Sequence, residues 1–320
     1  MSEYALVGDI GGTNARLALV KPGSVALEAV RTLACADYEN LDDACFAYLA
    51  EVGIAGVDRA CLAFACPVQG ERLRMTNNHW AFHRGEMQRR LGLSELRLLN
   101  DFTAMALGML HIEPSDLLEL GGGSVLEGNP KLVIGPGTGL GVSALVPAGD
   151  EWVPLATEGG HVGFAPTDEA EVAIWRHLKE RYGRVSVERI LCGQGLVNLY
   201  QALAAYHSQP APLSQPPEIT AAAQAGDTLA EETLSRFCRI LGEQAGDAVL
   251  TLGARGGVYL CGGILPRIRD CLMASDFRRG FEAKGRFADY MKQVPVWLCT
   301  AEMPGLLGAA AGLNNSLAGR

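Results

Sequence analysis

Residues 9–19 read DIGGTNARLAL. The segments on either side, YALVGDI and ARLALV, are apolar enough to be strands. Between them stand an acid, two glycines, a threonine and an asparagine. A link this short joins its strands into an antiparallel hairpin. Glycine lets a backbone come close to a ligand and lets successive N–H groups point inward as an anion nest. Thr13 adds a hydroxyl donor. An ionised Asp9 at the end of a buried strand repels phosphate unless a Mg²⁺ ion stands between them. The stretch Gly8, Asp9, Ile10, Gly11, Gly12, Thr13 and Asn14 is therefore expected to grip part of a polyphosphate, with Asp9 holding the metal through water. The bland alternative is a plain hairpin turn.

KLVIGPGTGLGVSALV, residues 131–146, repeats the arrangement of strand, glycine-rich turn with a threonine, and strand. It reads as an internal repeat of the first hairpin at low identity. Gly137, Thr138 and Gly139 are then a second phosphate turn. The sequence contains no GxxxxGK[ST], which excludes a P-loop. GPGTGLG is out of register with GxGxxG and is flanked by hairpin strands, which argues against a Rossmann dinucleotide site. GGVYLCGGILPR is a strand that runs into Gly262 and Gly263, where an adenosine could lie against backbone; such a strand end is nonspecific by itself.

At 320 residues, 48% hydrophobic and 20% charged, the chain suits a soluble protein of two domains or lobes. A net charge of −9 argues against general affinity for nucleic acid or acidic membranes. The start MSEYALVGDI lacks a leader pattern, and no segment has 18 uninterrupted apolar residues. Nine scattered cysteines without a CxxC pair fit reduced thiols in a cytosolic protein. Strands alternate with helical segments, including YENLDDACFAYLAEVG, FTAMALGMLHI, EAEVAIWRHLKERYG, TLAEETLSRFCRILGEQAGDAVL and the small-residue PGLLGAAAGLNNSL. The class is α/β. The proline-rich link HSQPAPLSQPPEIT is expected to be a surface loop.

LLND ends a strand with Asn100 and Asp101 and is followed at once by a helix. Helix capping explains both residues. So does chemistry, because a carboxylate at the C-terminal end of a parallel strand faces the crevice where such sheets bind ligands. A helix N-terminus also favours its ionised state. EGGH places Glu158 and His161 around a glycine pair; two candidate ligands without a third make a weak metal site. Glu188, in RVSVERI, reads alone as a dipole-favoured acid near a helix start. His79, His83, His111, His177 and His207 show no partner pattern.

DIGGTNARLAL, GPGTGLG, EGGH and GGVYLCGGI, in this order, resemble the phosphate-1, phosphate-2, sugar-binding and adenosine segments of the actin-like sugar kinases. MTNNHWAF, LLNDFTAMA, TEGGHVGFAP, RVSVERILCGQGLVNLY, GRF and PGLLGAAA narrow the resemblance to the bacterial ATP-dependent glucokinase family, from Tyr4 to about Gly312. The cysteine-rich zinc motif of the related repressor/kinase branch does not occur. The resemblance implies a two-lobed ribonuclease-H-like (actin-like ATPase) fold with an interlobe cleft. Its small lobe would take residues 1–110 plus the returning segment 301–320, and its large lobe residues 111–300. It implies ATP and Mg²⁺, with glucose as the sugar. Asp101 becomes the catalytic base, and Asn100, Glu158, His161 and Glu188 bind sugar hydroxyls. It further implies a cytoplasmic homodimer. A kinase of another hexose or amino sugar is the alternative within the class, and an ATP-binding regulator the alternative outside it.

Overall fold

The computed structural model describes residues 3–66, 68, 70–75 and 78–318. Thr76 and Asn77, in the stretch MTNNHWAF, lie outside the described residues. The chain divides into two compact units: Met1–Asp116 with Ala144–Ala156 and Ala301–Arg320, and Leu117–Ser143 with Thr157–Thr300.

The first unit is built on β1 (Ala5–Ile10), β2 (Asn14–Val20), β3 (Glu28–Ala34) and β4 (Arg59–Phe64). A two-stranded ribbon, β5 (Arg72–Arg74) and β6 (Ala81–His83), precedes β7 (Glu95–Asn100). The sheet order is β3-β2-β1-β4-β7. The expected hairpin is present, β1 pairing antiparallel with β2 from Ala5↔Val20 to Ile10↔Ala15. β1, β4 and β7 run parallel. Central parallel strands are covered on both faces and so read as continuous apolar runs; Leu6, Val7, Ala60, Cys61 and Leu62 are all fully buried.

On one face of this sheet the helix Leu41–Glu51 supplies Leu41, Ala44, Cys45 and Tyr48, packed with Leu6, Leu17, Leu62 and Trp80. On the other face lie the helices Asp101–Gly108 and Pro304–Asn314. These two approach so closely that a Cβ added at Gly308 would stand 1.6 Å from the carbonyl oxygen of Ala104. That contact explains the small-residue sequence of the last helix.

The second sheet uses β8 (Leu117–Glu119), β9 (Lys131–Pro136), β10 (Leu140–Ala148), β11 (Glu151–Ala156), β12 (Val258–Leu260) and β13 (Val296–Cys299), in the order β11-β10-β9-β12-β13-β8. β9, β12 and β13 run parallel, and β8 is antiparallel at the edge. The glycine hairpin β9-β10 takes the same position in this sheet as β1-β2 in the first, with the parallel strands following on the same side. The helices Glu169–Tyr182, Gly193–Tyr206 and Thr228–Leu252 add the apolar layer, centred on Ile174, Leu199 and Phe237.

The link 207–220 departs from expectation, because a helix, Pro216–Gln224, begins inside it. Proline at the first helical positions has no N–H to leave unsatisfied and a preset φ. The Glu218 carboxylate accepts the N–H groups of Ser214 and Gln215, each at 3.0 Å. Two prolines that read as loop punctuation are a helix start. Among the described residues no helix is long and apolar enough to cross a membrane.

Candidate active site

The first unit holds its turn, Gly11–Thr13, by several independent contacts. Gly11 N–H donates to Asn14 O at 2.9 Å, and Cys35 N–H donates to Thr13 O at 2.8 Å. Asn78 Nδ2 donates to Gly11 O at 3.3 Å. With its carbonyls occupied from behind, the turn leaves Thr13 exposed and Gly11 and Gly12 half-buried. Asn78 and Cys35 act here as supports that sequence reasoning missed.

Asp9 sits at the end of β1. Its cross-strand partner is Arg16 by register, with Arg16 Nη1 3.4 Å from Oδ2. Burial pushes the Asp9 carboxyl above the usual carboxylate range, and the Arg16 guanidinium pulls it partly back. A Cβ added at Gly305, in the first turn of the helix Pro304–Asn314, would stand 3.3 Å from the Asp9 carboxylate. The half-buried carboxylate thus lies against the start of that helix, where an anion is favoured. Among the described residues no group of three or more His, Cys, Asp or Glu could cage a metal. Mg²⁺, however, commonly takes one or two carboxylates together with substrate phosphates and waters. One acid next to a phosphate turn fits that donor set.

Asn100 and Asp101 stand at the β7 end. Ile10 pairs with Phe64, and Phe64 with Asn100, so the three form one row across the C-terminal edge of the parallel strands. With neighbouring strands about 4.8 Å apart, the end of the first hairpin strand and Asn100 are separated by roughly 10 Å. The capping reading of LLND holds. Asn100 Oδ1 caps the helix Asp101–Gly108, accepting from Phe102 N at 3.0 Å and Thr103 N at 3.3 Å. Asp101 is the first helical residue, and its Oδ1 accepts from Phe102 N at 2.8 Å.

The second unit carries the other candidates. Gly137 N–H donates to Gly139 O at 2.8 Å, and Gly193 N–H to Gly137 O at 2.9 Å, which ties the second turn to the start of the helix Gly193–Tyr206. Thr138 is exposed. Beyond β12, Gly262 adopts φ 89°, and a Cβ there would lie 2.5 Å from Pro136 O. Only glycine lets that strand end pass the second turn so closely. Gly263 is exposed beside it, with no atom within 4 Å of an added Cβ.

Glu158 and His161 are exposed and bracket the 3₁₀ turn Gly159–His161. Glu188 lies in the 3₁₀ turn Val187–Arg189, with Oε1 3.9 Å from His161 Nδ1. The structure thus groups the candidates in two sets. Asp9, the turn Gly11–Thr13, Asn100 and Asp101 share one sheet edge; the turn Gly137–Gly139, Gly262, Gly263, Glu158, His161 and Glu188 belong to the second unit.

A glycine turn in each unit and an acid after a parallel strand are parts expected of a nucleotide-dependent phosphotransferase. The Glucokinase family model matches residues 6–316. A glucokinase from Marinobacter nauticus (strain ATCC 700491 / DSM 11845 / VT8) is 57% identical over 315 residues, 98% of each chain. The crystal structure of glucokinase from an Antarctic psychrotroph is 35% identical, covers 99% of this chain and 100% of its own, and superposes with a TM-score of 0.91. A glucokinase of the ROK family from Streptomyces griseus, solved in complex with glucose and AMPPNP, is 19% identical over 96% of this chain and 98% of its own, with a TM-score of 0.62, a likeness of fold. The chain belongs to the glucokinase family.

Proposed function

We propose that this chain transfers the γ-phosphoryl group of ATP to the 6-hydroxyl of D-glucose, giving ADP and glucose 6-phosphate. The observation that supports the proposal is the row Ile10–Phe64–Asn100, which sets the turn Gly11–Thr13 and the acid Asp101 at one edge of one sheet. Asn100 spends its carbonyl oxygen on the helix cap, which leaves Nδ2 to donate to a sugar oxygen. The Phe102 N–H fixes Asp101 at 2.8 Å, and the carboxylate accepts the proton of the attacking hydroxyl. Glu158, His161 and Glu188 bind the remaining hydroxyls, and a site that pairs a hydroxyl rejects the sugar lacking it. The two glycine turns donate N–H groups to the phosphates, and Gly262 and Gly263 pass against the adenosine. Asp9 would hold Mg²⁺, which would supply neutralisation of phosphate charge when bound.

The common order of the two sheets supports reading the chain as a ribonuclease-H-like, actin-like ATPase fold. On that reading the small lobe takes residues 1–110 and 301–320 and the large lobe 111–300, a division that departs from the compact units of the structure at 111–116 and 144–156. Cytoplasmic location and a homodimer belong to the same proposal. Nine free thiols agree with a reducing compartment, and sedimentation of the purified chain reads its assembly state.

The test is ADP release at fixed MgATP with and without glucose. Release that depends on glucose, with the highest kcat/KM for glucose in a panel containing mannose, fructose and N-acetylglucosamine, is the expected result. Equal release without sugar overturns the proposal.

A further inference from the structure

Glu188 touches two segments that the preceding assignment treats separately. Its Oε2 accepts the N–H of Leu140 at 2.9 Å, and Leu140 is the residue that leaves the second glycine turn. Its Oε1 faces His161 Nδ1 at 3.9 Å. The stretch that carries Glu188 is laced to the sugar loop as well. Val187 N–H donates to Val162 O at 3.0 Å, and Phe164 N–H donates to Val185 O at 3.1 Å. Arg184 Nη2 donates to His161 O at 2.8 Å.

The spacing around Leu140 is tight on both sides. A Cβ added at Gly139 would stand 2.5 Å from Glu188 Oε2, and one added at Gly160 would stand 2.1 Å from Leu140 O. The peptide that ends the nucleotide turn is thus held at its N–H by Glu188 and crowded at its carbonyl by the sugar loop.

We propose that Glu188 is a positioning residue that couples sugar binding to the shape of the second phosphate turn; this rests on the phosphotransferase function proposed above. An ionised carboxylate accepts several hydrogen bonds at once, and its bonds are stronger than neutral ones. A sugar hydroxyl that draws on Glu188 changes the bond to Leu140 and so the exit of the turn. Coupling of this kind is reciprocal, so each ligand reads the other's segment.

The experiment crosses the two sides, each with the other ligand absent. Gly139→Ala adds a methyl that presses on Glu188 alone, since the backbone at residue 139 lies outside the left-handed region. Titrated calorimetrically with glucose and no nucleotide, this variant should bind roughly 5- to 10-fold more weakly, the lower end of coupling between sites. Gly56→Ala, in the first unit and with nothing within 4 Å of its added Cβ, serves as the control and should leave glucose binding unchanged. In the reverse arm, AMPPNP is titrated without sugar. Glu188→Ala should weaken its binding by a similar factor, while Glu188→Gln restores it, because an amide oxygen still accepts the Leu140 N–H.

Glucose binding by Gly139→Ala equal to wild type, an equal loss in Gly56→Ala, or unchanged AMPPNP binding in Glu188→Ala overturns the coupling. Wild-type protein that binds no glucose overturns the proposed function and the sugar half of the coupling with it. The AMPPNP arm then still reads the hold of Glu188 on the turn.

Discussion

Replacing Asp101 by Asn separates its place at the helix start from the role of base proposed for it. On the folding side little changes. An amide oxygen accepts the Phe102 N–H as Oδ1 does at 2.8 Å, and Asn100 keeps its own bonds to Phe102 N and Thr103 N. What is lost is a negative charge at a helix N-terminus, about 0.3–1 kcal/mol. On the catalytic side the variant removes the proton acceptor. A general base contributes about 10²–10⁴-fold, which at 1.36 kcal/mol per factor of ten is roughly 2.7–5.4 kcal/mol of transition-state free energy. The kinetic loss therefore exceeds the folding loss several times over. Three measurements check this: kcat by coupled ADP release, glucose affinity by calorimetry, and Tm by scanning fluorimetry. The expected result is kcat lower by about two to four orders of magnitude, with glucose still bound and a Tm within a few degrees of wild type. A variant that keeps more than half of wild-type kcat refutes the assignment of the base. A variant that loses kcat and Tm together shows that Asp101 acts through the fold instead.

Three further substitutions probe the support of the site. Asn100→Ala deletes a cap that accepts two N–H groups and should cost about 1 kcal/mol, seen as a Tm lower by roughly 2–4 °C for a unit of this size, with a raised KM for glucose; an unchanged Tm would show that the cap carries no energy. Gly308→Ala drives a methyl to 1.6 Å from Ala104 O, so soluble, cooperatively folding protein should be lost or its Tm sharply lowered, and a normal melt would refute the close helix contact. Asp9→Asn should weaken activity while stabilising the fold. Burial raises the Asp9 carboxyl in the folded state, so the folded chain holds that proton more tightly than the unfolded chain does. Its contribution to stability then falls as pH rises from the unfolded carboxylate range through the raised folded value. The Tm advantage of the Asn variant should therefore be present at neutral pH and vanish in acid below the ordinary carboxylate range, and a constant or reversed difference across that pH series would refute the burial of the charge.

What could be read from the chain alone followed local rules. The hairpin DIGGTNARLAL was legible because two apolar runs joined by a few small residues have one simple outcome, and its register also places Asp9 opposite Arg16. Capping and ligand chemistry at LLND looked like rivals in the sequence; the structure shows the capping, done by Asn100 Oδ1, and leaves Nδ2 outside those bonds. The helix Pro216–Gln224 was misread because the same prolines that break a helix interior are favoured at its first turn. Its signal was Glu218, three residues after Gln215. The contacts of Asn78, Gly305 and Glu188 had no local signal. Asn78 reaches Gly11 across 67 residues, and Glu188 reaches Leu140 across 48. Such contacts depend on how strands pair and where turns end, which no window of sequence contains. This division has a physical cause: groups that meet ligand sit in turns whose own residues betray them, while groups that hold those turns in shape come from distant segments and carry ordinary side chains. Glu188 shows the second kind: its residue type pointed to a dipole-favoured acid, and only its position joins the turn Gly137–Gly139 to the turn Gly159–His161.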